Sequence, residues 1–72
     1  MLSERLKTLR SEAKLTQKEI AEKLEVSQQF YAKWESNKST PASKNLNKLA
    51  DFFNVSTDYL LGNTNIKNQK QF

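Results

Sequence analysis

Three times along this chain a Ser or Thr stands directly after one apolar residue and four places before another. The sets are Leu15-Thr16-Ile20, Val26-Ser27-Tyr31 and Val55-Ser56-Leu60. This is the spacing of a helix N-cap with a hydrophobic staple: the hydroxyl accepts from a free first-turn amide, and the flanking apolar pair clamps the entering chain. The first set is reinforced by Glu19, which makes Thr16 to Glu19 a capping box. A helix starting at Thr16 therefore runs through Leu24 and buries Ile20, Ala21 and Leu24. Only Glu25 and Val26 separate it from the next cap, Ser27. The helix after Ser27 carries Phe30, Tyr31 and Trp34 towards the core and ends near Ser36.

The rest of the chain follows the same grammar. Leu2, Leu6, Leu9 and Ala13 share one stripe of a first helix over about residues 2 to 13. Asn37 to Ala42 is polar, holds the only proline and reads as a loop. Thr40 or Ser43 caps a fourth helix with Leu46, Leu49, Ala50 and Phe53 inward, and Asn54 supplies its left-handed end. Ser56 opens a short fifth helix that Gly62 stops. No segment alternates polar and apolar residues long enough for a strand. The expectation is an all-α bundle of five helices over residues 1–62, followed by a polar tail, 63–72, that is frayed or begins a linker.

Seventy-two residues without Cys or His leave little room for chemistry. A chain of this size buries about 60% of its unfolded surface, so a large substrate cleft is not expected. Disulfides, thiolate or imidazole metal sites and imidazole general bases are excluded, and no cofactor or metal is expected. No carboxylates or hydroxyls cluster at catalytic spacing, which argues against an enzyme. The longest apolar run, Tyr59 to Leu61, is far short of the roughly 20 residues of a membrane span. With no signal-peptide pattern, a soluble cytoplasmic protein is expected. The net charge of +4 is uneven: between residues 26 and 50, Lys33, Lys38, Lys44 and Lys48 face Glu35 alone. A local basic region on a small domain suits a polyanionic partner.

Small Ala21 lies where the second and third helices approach closely, and the tight turn after it completes a helix-turn-helix layout. Leu15 to Leu24, Val26-Ser27, Lys33-Trp34-Glu35, Pro41, Leu46 to Ala50 and Val55 to Leu61 fall in register with a known pattern. The chain resembles the phage-repressor-type (Cro/repressor, XRE-like) helix-turn-helix DNA-binding family over residues 2 to 62. The resemblance implies a lambda-repressor-like domain that binds double-stranded DNA and regulates transcription, as a repressor occupying an operator. A module in the manner of an antitoxin, with DNA binding secondary, is the competing reading.

The resemblance also implies roles for particular residues. The third helix enters the major groove, so Ser27, Gln28, Gln29 and Lys33 are the candidate base readers. A Gln amide donates and accepts together, matching the adenine N6/N7 edge. Phosphate contacts fall to Gln17 at the second helix's first turn, to Asn37, Lys38, Ser39 and Thr40 in the loop, and to nearby Lys44. Arg10 and Glu35 are expected to pair across the first and third helices, and Trp34 to be core. Phe30 stands where the family often has a small polar residue, so it either packs beside Val26 and Trp34 or touches a thymine methyl. Glu25 occupies a turn position usually held by Gly, and the loop after Ser36 lacks a Gly as well. A two-fold operator would call for a homodimer, with Phe52, Tyr59, Leu61, Ile66 and Phe72 as candidate interface residues.

Overall fold

The computed structural model describes residues 1–67; the dimer candidate Phe72 lies outside them. Five helices follow in order: α1 Leu2–Glu12, α2 Gln17–Leu24, α3 Gln28–Glu35, α4 Ser43–Phe53 and α5 Thr57–Leu61. Among the described residues there is no strand, and no helix is long and apolar enough to cross a membrane.

The three cap-and-staple sets form as their spacing predicts. Thr16 Oγ1 accepts from the Glu19 amide at 3.0 Å and the Thr16 amide donates to Glu19 Oε1 at 2.8 Å. That pairing holds the Glu19 carboxyl below the usual carboxylate range. Ser27 Oγ accepts from the Phe30 amide and Ser56 Oγ from the Tyr59 amide, each at 3.0 Å. The staple residues turn inward: Ile20, Tyr31, Val55 and Leu60 are buried, and Leu15 and Val26 pack against the core from its edge. That core is completed by Leu6, Leu9, Ala21, Leu24, Trp34, Leu49 and Ala50. Around it α1 packs on α3 and α5, α2 on α3, and α4 on α5.

Three local expectations need correction. Ala13 lies just past the end of α1 and is exposed, because the chain reverses at Lys14. Neither Thr40 nor Ser43 caps α4. Ala42 occupies that position, with no side-chain hydrogen bond, since the buried Pro41 fixes where the helix can begin. Phe30 is 44% exposed and outside the core. Arg5 gathers residues 63–67: Nη1 donates to the carbonyls of Tyr59 and Thr64 at 2.8 and 2.7 Å, and Nη2 to Asn65 Oδ1 at 2.8 Å. The Ser56 amide also donates to the Lys67 carbonyl at 2.7 Å.

All five helices end alike. In each, one residue takes the left-handed region and the following amide reaches back to a carbonyl five residues earlier. The turn residues are Lys14, Glu25, Asn37, Asn54 and Gly62, with φ from 57° to 83°. The returning bonds run from Leu15 to Arg10, Val26 to Ala21, Lys38 to Lys33, Val55 to Ala50 and Asn63 to Asp58, at 2.9 to 3.2 Å. Only Gly62 is free of a Cβ, and it needs that freedom twice: a Cβ there would stand 2.7 Å from Met1 Cβ. Asn tolerates the conformation, whereas Lys14 and Glu25 hold it at about 1–2 kcal/mol each. Glu25→Gly should therefore stabilise the protein by about 0.5–1 kcal/mol after glycine's own entropic cost. A thermal melt should show Tm raised by about 4 °C; an unchanged or lower Tm would mean that Glu25 makes a compensating contact.

Candidate nucleic-acid interface

The cap at Ser27 sets the first turn of α3 on the surface. Ser27, Gln28 and Gln29 are exposed, and neither glutamine side chain has a hydrogen-bond partner among the described residues. Lys33, one turn beyond Gln29, is exposed as well. The opposite face of α3 buries Tyr31, Trp34 and Glu35. The two glutamines, the lysine and the edge of Phe30 thus share a continuous outward strip, while the helix is held from behind by its aromatic residues. Trp34 is 1% exposed and stands edge-on to both Tyr31 and Phe30; it is core and offers no stacking platform.

The loop after α3 folds back onto the helix end. The amides of Lys38 and Ser39 both donate to the Lys33 carbonyl, at 2.9 and 3.3 Å. Asn37, Lys38 and Thr40 are exposed, as is Lys44 in the first turn of α4. Ser39 is half-buried, and its Oγ is buried without a hydrogen-bond partner. Lys48 points elsewhere: its Nζ donates to the Leu24 carbonyl at 3.3 Å and ties α4 to the end of α2.

Glu35 is the organising group behind this surface. It is 3% exposed, yet its carboxylate receives four donors from three helices. Arg10 Nε reaches Oε2 at 2.6 Å and Nη2 reaches Oε1 at 3.1 Å; Gln17 Nε2 donates to Oε1 at 3.0 Å and Tyr31 Oη to Oε2 at 2.5 Å. Burial alone would raise this carboxyl, but the bonds from Arg10, Tyr31 and Gln17 and the Arg10 charge outweigh it, holding the group below the ordinary glutamate range. The Tyr31 phenol is pushed well above its ordinary value by burial and by its bond to the carboxylate. Gln17, read from the sequence as a phosphate ligand, is half-buried with its side-chain amide turned inward to Glu35.

In front of this network lies an open groove of about 550 Å³, with Lys7, Lys33 and Lys38 around Arg10, Gln17 and Glu35. Because Glu35 neutralises Arg10, the lysines carry the groove's uncompensated charge. Lys7 was not singled out from the sequence. The available signal was its place on α1, three residues before Arg10 and thus on the same side of the helix.

The remaining candidates lie apart from α3 in sequence. Phe52, Leu61 and Ile66 are 37%, 40% and 59% exposed, a set of apolar side chains left in water. Tyr59 is only partly accessible, since the Arg5 guanidinium lies 4.0 Å from its ring centroid.

The sequence matches a family model described as a helix-turn-helix domain over residues 3–66. It is 40% identical over 70 residues to the HTH-type transcriptional regulator ImmR of Bacillus subtilis, covering 97% of this chain and 55% of that protein. It is 42% identical over 59 residues to the HTH-type transcriptional activator BcrR of Enterococcus faecalis, covering 82% of this chain and 29% of that one. The transcriptional repressor RstR of the cryptic phage CTXphi in Vibrio cholerae is 36% identical over 61 residues, covering 85% and 54%. The chain thus spans about half the length of ImmR and RstR.

Proposed function

This chain belongs to the helix-turn-helix domain family, and from that premise we propose that it is a sequence-specific double-stranded DNA-binding unit that regulates transcription. The observation that carries the reading is the pair Gln28 and Gln29, exposed and, among the described residues, unpartnered at the first turn of a helix whose other face is buried in the core. In a helix-turn-helix protein the N-terminal residues of the second motif helix meet base edges in the major groove. Gln28 and Gln29 then supply amides for adenine N6/N7, and Lys33 reaches a guanine or the adjoining phosphates. Ser27, whose hydroxyl caps α3, stands at the entry of the same helix.

Phosphates are met on two sides of this strip. Asn37, Lys38, Ser39, Thr40 and Lys44 hold one strand. On the other side Gln17 contributes its main-chain amide at the N-terminus of α2, its side chain being held by Glu35. Repression by occupying an operator is the mode we propose, in keeping with the name of RstR. Such a protein works in the cytoplasm by binding and not by catalysis. A two-fold operator places two copies of α3 about 34 Å apart, and the exposed apolar set Phe52, Leu61 and Ile66, with Tyr59, is our candidate dimer contact.

Selection of bound sequences from a random duplex pool tests the reading. A recovered motif supports it; salt-sensitive binding with no enriched sequence would leave only a non-specific polyanion binder. Once a motif is in hand, Lys38→Ala should weaken binding to all sequences alike and reduce the slope of log affinity against log salt by about 1. An unchanged slope would remove Lys38 from the phosphate contacts.

A further inference from the structure

Of the three aromatic residues in α3, two are buried and Phe30 is 44% exposed. It follows Gln29 directly and precedes Lys33 by three residues, so on the helix surface Lys33 lies between Gln29 and Phe30. The ring stands edge-on to Trp34, with centroids 5.3 Å apart and planes at 60°. Trp34 itself is buried, at 1% exposure. A large apolar group that rests on the core along one edge and is open to water along the other is available for a contact that the core does not supply.

A phenyl ring makes no conventional hydrogen bond and DNA presents no cation to its face, so its best partner there is an apolar group. In an intact duplex the base faces are stacked, and the only apolar group on a major-groove edge is the thymine C5 methyl. We infer that Phe30 is a specificity-determining residue that packs its ring against a thymine methyl at the base step beside the one met by Gln29. This rests on the major-groove reading of α3 proposed above and adds a base preference that the amides alone do not provide.

The test uses the whole chain and the motif recovered from the random pool, with each thymine replaced singly by deoxyuridine. That change removes the methyl and leaves every hydrogen-bonding group in place. At one thymine the unmodified protein should lose about fourfold in affinity, the equivalent of one buried methyl-sized group. Phe30→Ala should bind the thymine and uracil duplexes equally, and Phe30→Leu should retain part of the difference. Circular dichroism melts of both variants establish that they remain folded. Indifference to every thymine-to-uracil change, or a motif lacking thymine, overturns the assignment. So does a Phe30→Ala protein that keeps the original ratio, or that loses affinity uniformly, which would place the ring on sugar. Failure to recover any motif overturns the major-groove reading itself and is thereby distinguished from failure of the Phe30 contact.

Discussion

A Glu35→Ala protein is expected to lose about 3–5 kcal/mol of folding stability, the cost of removing one partner from a buried ion pair. Total stability for a domain of this length is about 4–10 kcal/mol, so the variant should lose roughly half of it. The reason lies in the number of groups left stranded. Arg10, Gln17 and Tyr31 all direct donors at this one carboxylate, and the Tyr31 hydroxyl has nowhere else to go in a residue that is fully buried. Glu35→Gln, which keeps the volume and an acceptor, should fall between the two. Thermal melts check this, with Tm lowered by at least about 12 °C for the alanine variant; a shift of only about 2 °C would show that the network is structurally idle.

The same carboxylate sets a pH dependence. Its folded pKa lies below the unfolded value of 4.5, so the stability it contributes is present above that pH and is lost as pH falls through the folded value. Tyr31 works at the other end. Its folded pKa is raised above 10.0, so its contribution is present below pH 10 and lost as pH rises beyond it. Stability should be highest between these limits, and the acid limb should be shallower in Glu35→Gln.

The second large effect concerns recognition. Gln28→Ala and Gln29→Ala should each reduce discrimination at particular base pairs by about 1–3 kcal/mol, roughly fivefold to 150-fold between the preferred base and its alternatives. Both side chains are exposed, so neither change should move Tm by more than a degree or two, and the loss belongs to the interface alone. Binding to a panel of duplexes, each altered at one position of the selected motif, locates the bases concerned. If both variants retain the base preferences of the unmodified protein, readout resides elsewhere on the surface.

Features governed by neighbouring residues were legible in the sequence. The caps at Thr16, Ser27 and Ser56 and the staples around them involve partners within five residues, and they form as spaced. The exposure of Gln28 and Gln29 follows from the same register. What the sequence left open depends on distant parts of the chain. Gln17 turns inward because Glu35, 18 residues away, is underneath it. Arg5 secures residues 54 to 60 positions later in the chain, and no local pattern announces that. Phe30 falls between the two readings open for it: it stands against Trp34, but Tyr31 and Trp34 already fill the space behind α3 and leave it 44% exposed. The Lys14 turn carries no Gly or Asn to betray it, and only the returning bond from Leu15 to Arg10 identifies it.

The contact between Met1 and Gly62 brings the two ends of the helical array together. Topologically, the five helices form a nearly closed loop of chain, entered and left at one place. Such a unit can be spliced into a larger polypeptide as a cassette, because both junctions converge and neither has to cross the surface to rejoin its host.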